Sequence, residues 1–259
     1  MKKLSLILIL ILTFVYCSKK DFPEDPLQDP CLDYFDHVYR YPPVSWKDSA
    51  DTEDSGPRTI EAWKIPGDYL KCCSTDSLIR TCLNYPNFIV IWAYNSLQEG
   101  FDHIRQECNG FQELYSREDL SMKLINVYLA MDPGGFDPEA DPKVIVSLAM
   151  IFTNIEMTIA QYDFLKKLSK DEIIILFEDC INKYEIKSSI PNYGHLGEMS
   201  LLAIMARIMY IDNYKPFTDG IGTVSGLYDL IESARYLEDE QTIDFIVMNS
   251  RNYLIELRK

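Results

Sequence analysis

Helical spacing of apolar residues is the feature that most constrains the fold of this chain. Between residues 169 and 184 the apolar side chains recur every three or four positions, which lines one face of a helix. These side chains are Ile173, Leu176, Phe177, Cys180, Ile181 and Tyr184. Ser169 and Glu172 precede the stripe in the S-x-x-E pattern of a capping box. The segment therefore predicts a long amphipathic helix with a defined start.

Similar stripes predict helices over most of the remaining chain. Long ones are expected between Arg117 and Pro133, from Pro142 to Ile159, and from Ile243 to the C-terminal end. Shorter helices are expected at 58–64, 66–73, 75–85, 97–108, 198–210 and 226–238. The apolar run 88–94 has no second strand pattern to pair with, so it is also assigned to a helix. We predict an all-α fold, with a single domain of short antiparallel amphipathic helices over residues 58–259.

The first 16 residues have the pattern of an export signal. Lys2 and Lys3 precede an apolar segment that runs from Leu4 to Tyr16. Up to Cys17 this segment would be about 21 Å long as a helix, whereas spanning a bilayer takes about 20 residues. The sequence therefore predicts a signal peptide over residues 1–16.

Cys17 follows the apolar run directly and precedes Ser18, Lys19 and Lys20. This arrangement resembles the signal of bacterial lipoproteins, in the relaxed form found in Bacteroidota. The resemblance implies that Cys17 becomes the first mature residue and carries acyl chains, and it favours the outer membrane. Tyr16 departs from the pattern, which has a small residue there. The alternative is ordinary cleavage after Cys17.

Residues 17–57 are rich in proline and acidic residues and predict an extended tether between the lipid and the domain. Within it, residues 33–46 are dense in aromatics. Tyrosine and tryptophan suit protein or glycan contacts. The other hypothesis is that this segment packs over the helices as an N-terminal strap.

Charge and cysteine content restrict the partners. The chain has 40 acidic and 25 basic residues and a net charge of −15, which argues against nucleic acid as a partner. Besides Cys17 there are six cysteines, for which we expect at most one disulfide and no deducible pairing. Cys180 falls on a helical stripe and predicts a buried free thiol. No CxxC motif is present, and we predict no cofactor.

Residues 65–133 contain the elements I-P, S-T, T-C-L-x-Y-P, A-Y-N-S-x-Q-x-G-F and N-G-F-x-E-L. They are similar to a segment of uncharacterised lipoproteins of Bacteroidota. The resemblance implies the same location and no particular activity.

His195 and Glu198 are the only candidates for hydrolytic chemistry. Their three-residue spacing would place both on one helical face. A zinc site needs further ligands, and neither His37 nor His103 has a suitable spacing from His195. We predict no metal site and expect a capping or surface pair.

Two loops contain residues of types that bind ions or phosphate. The acidic loop 132–142 does not fit the EF-hand pattern, because Pro142 and Leu148 occupy its glycine and glutamate positions. The loop 219–227 matches no nucleophile or phosphate motif, so Ser225 is expected to cap the following helix.

Together these patterns predict an exported, lipid-anchored envelope protein that binds a protein or glycan ligand without catalysis. Two alternatives stay open: an envelope hydrolase using His195 and Glu198, and a protective or inhibitory lipoprotein whose acidic surface engages a basic partner. The leaflet on which the protein resides does not follow from the sequence.

Overall fold

The computed structural model describes residues 31, 34–43, 60–135, 142–190, 193 and 197–259. Within these ranges the chain forms helices and no β-strand, so the predicted all-α class is confirmed. The predicted signal peptide and the lipidation site at Cys17 lie outside the described residues.

The helices follow the sequence stripes closely. Before residue 135 they are α1 (Gly67–Cys72), α2 (Thr75–Leu83), a 3-10 helix (Pro86–Ala93), α3 (Leu97–Glu107), α4 (Gly110–Ser116) and α5 (Leu120–Leu129). After residue 142 they are α6 (Pro142–Ile159), α7 (Tyr162–Leu165), α8 (Lys170–Ser188), α9 (Met199–Ile211), α10 (Lys215–Thr218), α11 (Leu227–Ser233) and α12 (Glu240–Leu257).

The predicted capping box at the start of α8 is confirmed. The Glu172 amide donates to the Ser169 hydroxyl at 3.3 Å, and the Ser169 amide donates back to the Glu172 carboxylate at 2.7 Å. Two amides that the helix itself cannot pair are thereby satisfied, which defines the first residue of α8.

Helix α9 lies at the centre of the fold. Every residue from Met199 to Met209 is buried, and α9 packs against α6, α8, α11 and α12. A helix that is apolar on all sides must be covered on all sides. The apolar side chains around it form one cluster, whose members lie between Trp63 and Leu254 in the sequence.

One helix of the described residues, α6, has the length and apolar composition of a membrane span, but half of it is buried inside the protein. Its buried side chains belong to the same core as those of α9. These properties are those of a core helix in a folded domain.

The apolar run near residue 90 is helical, as expected, but it forms a 3-10 helix that begins at Pro86. This segment lies directly against α3. The contact requires glycine at position 100, because a Cβ there would collide with the backbone of Ile91. Close backbone packing, which periodicity does not report, decides the geometry of this segment.

Other helix boundaries differ from the prediction for local reasons. Asn109 lies between α3 and α4. Its side-chain amide accepts a hydrogen bond from the Ile65 amide and donates one to the Ile65 carbonyl, at 2.9 Å each. Helix α11 ends at Ala234, where φ is 49°, so it is shorter than the predicted span of 226–238. Its N-cap is Gly226, so the expectation that Ser225 caps this helix was wrong.

Candidate functional site

Residues 34–43, here called the strap, lie along α1 and α2. The carbonyl of Phe35 accepts from the Ser74 amide at 2.8 Å. The Tyr69 hydroxyl donates to the carbonyl of His37 at 2.6 Å. Of the two hypotheses for the aromatic segment, packing onto the helices is therefore confirmed for the strap, and a role in ligand contact stays a prediction.

A disulfide between Cys31 and Cys72 ties the chain just before the strap to the end of α1. It is the one disulfide among the described cysteines, which agrees with the expectation of at most one, and the sequence could not predict its pairing. The remaining described cysteines are free and buried, and the prediction for Cys180 is confirmed. They are Cys73, Cys82, Cys108 and Cys180.

An open cleft of about 750 Å³ lies beside the strap. Its volume is within the range of small-molecule sites. The lining combines aromatic rings with charged and amide side chains, and consists of Asp36, His37, Val38, Tyr39, Arg40, Tyr41, Asn84 and Pro86. The rings of Tyr39 and Tyr41 meet edge to face, with centroids 5.1 Å apart. The cleft therefore offers apolar faces together with groups that form hydrogen bonds.

Beneath the strap, a tyrosine hydroxyl meets two thiols. The Tyr41 hydroxyl donates to the carbonyl of Thr81 at 3.3 Å and lies 3.7 Å from the sulfur of Cys108. A hydrogen bond from the Cys82 thiol lowers the pKa of Cys108 most, and burial opposes that shift. Burial raises the pKa of Cys82 and of Tyr41. The pKa of Cys108 is thus lowered and that of Cys82 is raised, although the two thiols are neighbours.

A smaller cavity of about 150 Å³ lies between the 3-10 helix and the turn after α11. Its lining includes Trp92, Tyr94 and Tyr236. The indole N–H of Trp92 is buried and has no hydrogen-bond partner among the described residues. The cavity is smaller than most small-molecule sites, so the strap cleft is the stronger candidate.

A fully buried ion pair joins α6 and α8. Lys187 Nζ lies 2.6 Å from Glu156 Oε1, and both side chains are fully buried. The hydroxyls of Tyr128 and Ser200 donate to the two oxygens of the same carboxylate, at 2.8 and 2.6 Å. Lys187 also donates to the carbonyl of Gly197 at 2.9 Å. This set of side chains is called the core cluster below.

Burial lowers the pKa of Lys187, and the nearby Glu156 carboxylate works in the opposite direction. Burial also raises the pKa of Tyr128, and the same carboxylate adds to that shift. No member of the ion pair reaches solvent, so removing one partner would leave an uncompensated buried charge. A sequence signal existed, since Lys187 continues the apolar stripe seven residues after Cys180.

Of His195 and Glu198, the two residues proposed for hydrolysis, the structure describes only Glu198. Glu198 directly precedes α9, is 5% exposed and acts electrostatically on Lys187 and Tyr184. His195 lies outside the described residues. Glu198 is therefore buried beside the core cluster and its side chain does not cap α9, so the expectation of a capping or surface role was wrong for Glu198. The hydrolytic pair stays a prediction.

The acidic loop is described only at its start. The Asp132 carboxylate accepts the amide of Gly134 at 2.8 Å, which closes a local turn. Asp137, Glu139 and Asp141 lie outside the described residues. Among the residues that the structure describes, no group of three metal-ligating side chains comes together.

Comparison with known proteins finds no match to a protein-family model, to a curated protein or to a solved structure.

Proposed function

We propose that this chain is an exported, lipid-anchored protein of the cell envelope that binds a ligand in the strap cleft without transforming it. The N-terminal pattern that ends at Cys17 supports export and anchoring. The Cys31–Cys72 disulfide supports the same location, because disulfides persist in oxidising compartments outside the cytosol.

The cleft beside the strap is the observation that carries the binding function. It is open to solvent and large enough for a small ligand or a short chain segment, at about 750 Å³. Its exposed charged groups include Asp36 and Arg40. Aromatic faces next to side chains of both charges suit a glycan or a peptide.

Binding is favoured over the proposed hydrolysis because Glu198 and the buried ion pair lie outside the strap cleft. The Glu156–Lys187 ion pair is fully buried, and Glu198 is 5% exposed. A substrate in the strap cleft would meet none of these groups, since other residues line it. The alternatives are a hydrolase that uses His195 with Glu198, and a protective lipoprotein that engages a basic partner through its net charge of −15.

The anchor is tested by the intact mass of the protein purified from envelope membranes. We expect a mass that corresponds to acyl chains on Cys17, and a Cys17→Ser variant that no longer fractionates with membranes. A free N-terminus at Ser18 would overturn the lipid anchor and leave the binding proposal standing.

The cleft is tested with defined probes, namely a panel of neutral and acidic oligosaccharides and short basic peptides, by calorimetric titration. Arg40→Ala and Asn84→Ala alter the cleft without changing the apolar core. We expect each substitution to weaken the affinity for any probe that binds the wild type by about tenfold, or about 1.4 kcal/mol. Arg258→Ala, at the end of α12, is the matched control.

Each alternative has its own outcome in the same experiment. Affinity unchanged in both cleft variants would place the ligand elsewhere. Hydrolysis of a probe that is lost in Glu198→Gln with the fold intact would favour the hydrolase. Binding of only the basic peptides, with steep loss of affinity in salt, would favour the protective lipoprotein.

A further inference from the structure

Two thiols from different helices meet beneath the strap. Cys82 lies on α2, Cys108 directly follows α3, and both are fully buried. A Cβ placed on Gly110 would lie 2.8 Å from the sulfur of Cys82 and 3.6 Å from that of Cys108. Both sulfurs therefore lie beside one backbone position, and the Cys82 thiol is the group that lowers the pKa of Cys108 most.

The surroundings of Cys108 favour its thiolate over that of Cys82. The Cys82 thiol lowers the pKa of Cys108 most, and the sulfur of Cys108 lies 3.7 Å from the Tyr41 hydroxyl. Donors that converge on a sulfur stabilise the thiolate, which is the reactive form in disulfide exchange. Cys108 is thus the attacking sulfur of the pair.

The strap covers this pair. Tyr41 belongs to the strap, and its hydroxyl is held at the carbonyl of Thr81. Two further attachments fix the strap on either side: the indole N–H of Trp63 donates to the carbonyl of Pro42 at 3.1 Å, and the Cys31–Cys72 disulfide ties the chain just before it. A reagent reaches Cys108 from this side only when the strap separates from α2.

We propose that Cys82 and Cys108 are an oxidisable dithiol that forms a further disulfide, and that the Cys31–Cys72 disulfide controls access to it through the strap. The modification links α2 to the chain between α3 and α4. It is independent of which ligand occupies the strap cleft.

The reaction is a thiol–disulfide exchange with a disulfide-bearing oxidant. The Cys108 thiolate attacks one sulfur of the oxidant, its disulfide breaks, and one oxidant thiolate leaves. The Cys82 thiol loses its proton and attacks the sulfur of Cys108. The Cys82–Cys108 bond forms as the second oxidant thiolate leaves. Two thiols are oxidised, one disulfide is reduced, and the released protons pass to the departing thiolates.

The test exposes the purified full chain to oxidised glutathione and maps peptides without reduction. The wild type is compared with Cys31→Ser/Cys72→Ser. We expect the linked Cys82–Cys108 peptide to form at least about tenfold faster in the variant, because a disulfide that closes a loop of this size restricts strap opening. If the isolated protein already contains the linkage, the pair is established, and its rates of reduction by dithiothreitol are compared instead.

Cys180 is the internal control, since it is fully buried in α8 and free. Its thiol should stay protected in the variant. Trp63→Phe is a second way to loosen the strap, because it removes the bond to Pro42 and keeps the disulfide. It should accelerate the linkage by a smaller factor.

Two results would overturn the proposal. One is recovery of Cys82 and Cys108 as separate thiols or separate glutathione adducts after oxidation of Cys31→Ser/Cys72→Ser. The other is an acceleration in both strap variants that is no greater at the pair than at Cys180, which would mean that general unfolding rather than strap opening exposes the thiols.

Discussion

The core cluster and the thiols under the strap are two buried polar groupings with different covers. In each, a tyrosine hydroxyl contacts a titratable group: Tyr128 donates to Glu156, and Tyr41 lies against Cys108. The core cluster is enclosed mainly by helices that pack on one another, and Gly197, just before α9, adds a backbone carbonyl. The thiols are covered by the strap, a short non-helical segment that is attached by hydrogen bonds and by one disulfide.

This difference decides what each grouping can do. A group enclosed by several packed helices meets solvent only when the domain unfolds, whereas one beneath an extended segment meets it through local opening. The core cluster thus contributes to stability alone. The thiols under the strap combine burial with access that can be regulated. Three changes test this contrast, from the largest expected effect to the smallest, and a fourth concerns tyrosines outside both groupings.

Lys187→Met should cause the largest loss of unfolding free energy. It leaves the Glu156 carboxylate buried without its cation, which costs about 3–5 kcal/mol of unfolding free energy. Urea unfolding followed by circular dichroism measures the loss. Lys187→Met combined with Glu156→Gln is the matched control, and it should recover most of the stability because no uncompensated charge remains. A loss of similar size in both variants would show that packing, and not the ion pair, dominates.

Cys31→Ser/Cys72→Ser should lower the unfolding free energy by about 2–4 kcal/mol, because the disulfide restricts the unfolded chain between two cysteines 41 residues apart. Non-reducing urea titrations give the value. Cys73→Ala, which changes the neighbouring free thiol, should cost less. An unchanged midpoint in the double variant would mean that the strap adds nothing to stability beyond its hydrogen bonds.

Removing the hydroxyls of Tyr128 and Tyr41 should lower the unfolding free energy by unequal amounts. Tyr128→Phe takes a donor from a buried carboxylate and should cost about 1.5–3 kcal/mol, while Tyr41→Phe should cost about 0.5–1.5 kcal/mol. The carbonyl that Tyr41 contacts, on Thr81, also accepts the amide of Asn84 at 3.2 Å and so keeps a partner. Equal losses in the two variants would remove the distinction drawn between the clusters.

The smallest effect on unfolding free energy near neutral pH is expected from changing two partly buried tyrosines. Burial raises the pKa of Tyr162 and of Tyr184 to about 12, whereas tyrosine in an unfolded chain ionises near about 10. The unfolded state releases these protons first, so their stabilisation is complete below about pH 10 and is lost as the pH rises through 12.

Tyr162→Phe/Tyr184→Phe should therefore flatten the fall of unfolding free energy with pH above about 10. Urea titrations at a series of alkaline pH values measure the slope. Tyr236→Phe, whose ring lies at the surface, is the matched control. A slope that the double variant leaves unchanged would assign the alkaline instability to other groups.

Local sequence patterns predicted the helices α6, α8 and α12, the capping box of Ser169 and the burial of Cys180. These features depend on neighbours within a few residues, where helical periodicity and capping chemistry act. The four-residue helices α7 and α10 were not predicted, because they are too short to show a period.

The candidate site was predictable only in part. The aromatic density of residues 33–46 indicated a segment that either binds a ligand or packs as a strap, and packing is what the strap shows. The partner of Cys31 was beyond prediction, because several cysteines compete and the pairing depends on which of them α1 brings near. The Glu156–Lys187 pair joins residues 31 positions apart, so neither residue alone marks the site.

The sequence by itself determined which segments become helices and which face of each is apolar, since both follow from spacing along one chain. The tertiary structure decided the partners of the buried polar groups. Arg207, fully buried on α9, donates to the carbonyls of Ile231 and Ala160 at 2.7 and 2.8 Å, near the ends of α11 and α6. Such partners come from distant segments, because a buried donor must be satisfied by whichever acceptor the packing of helices places beside it.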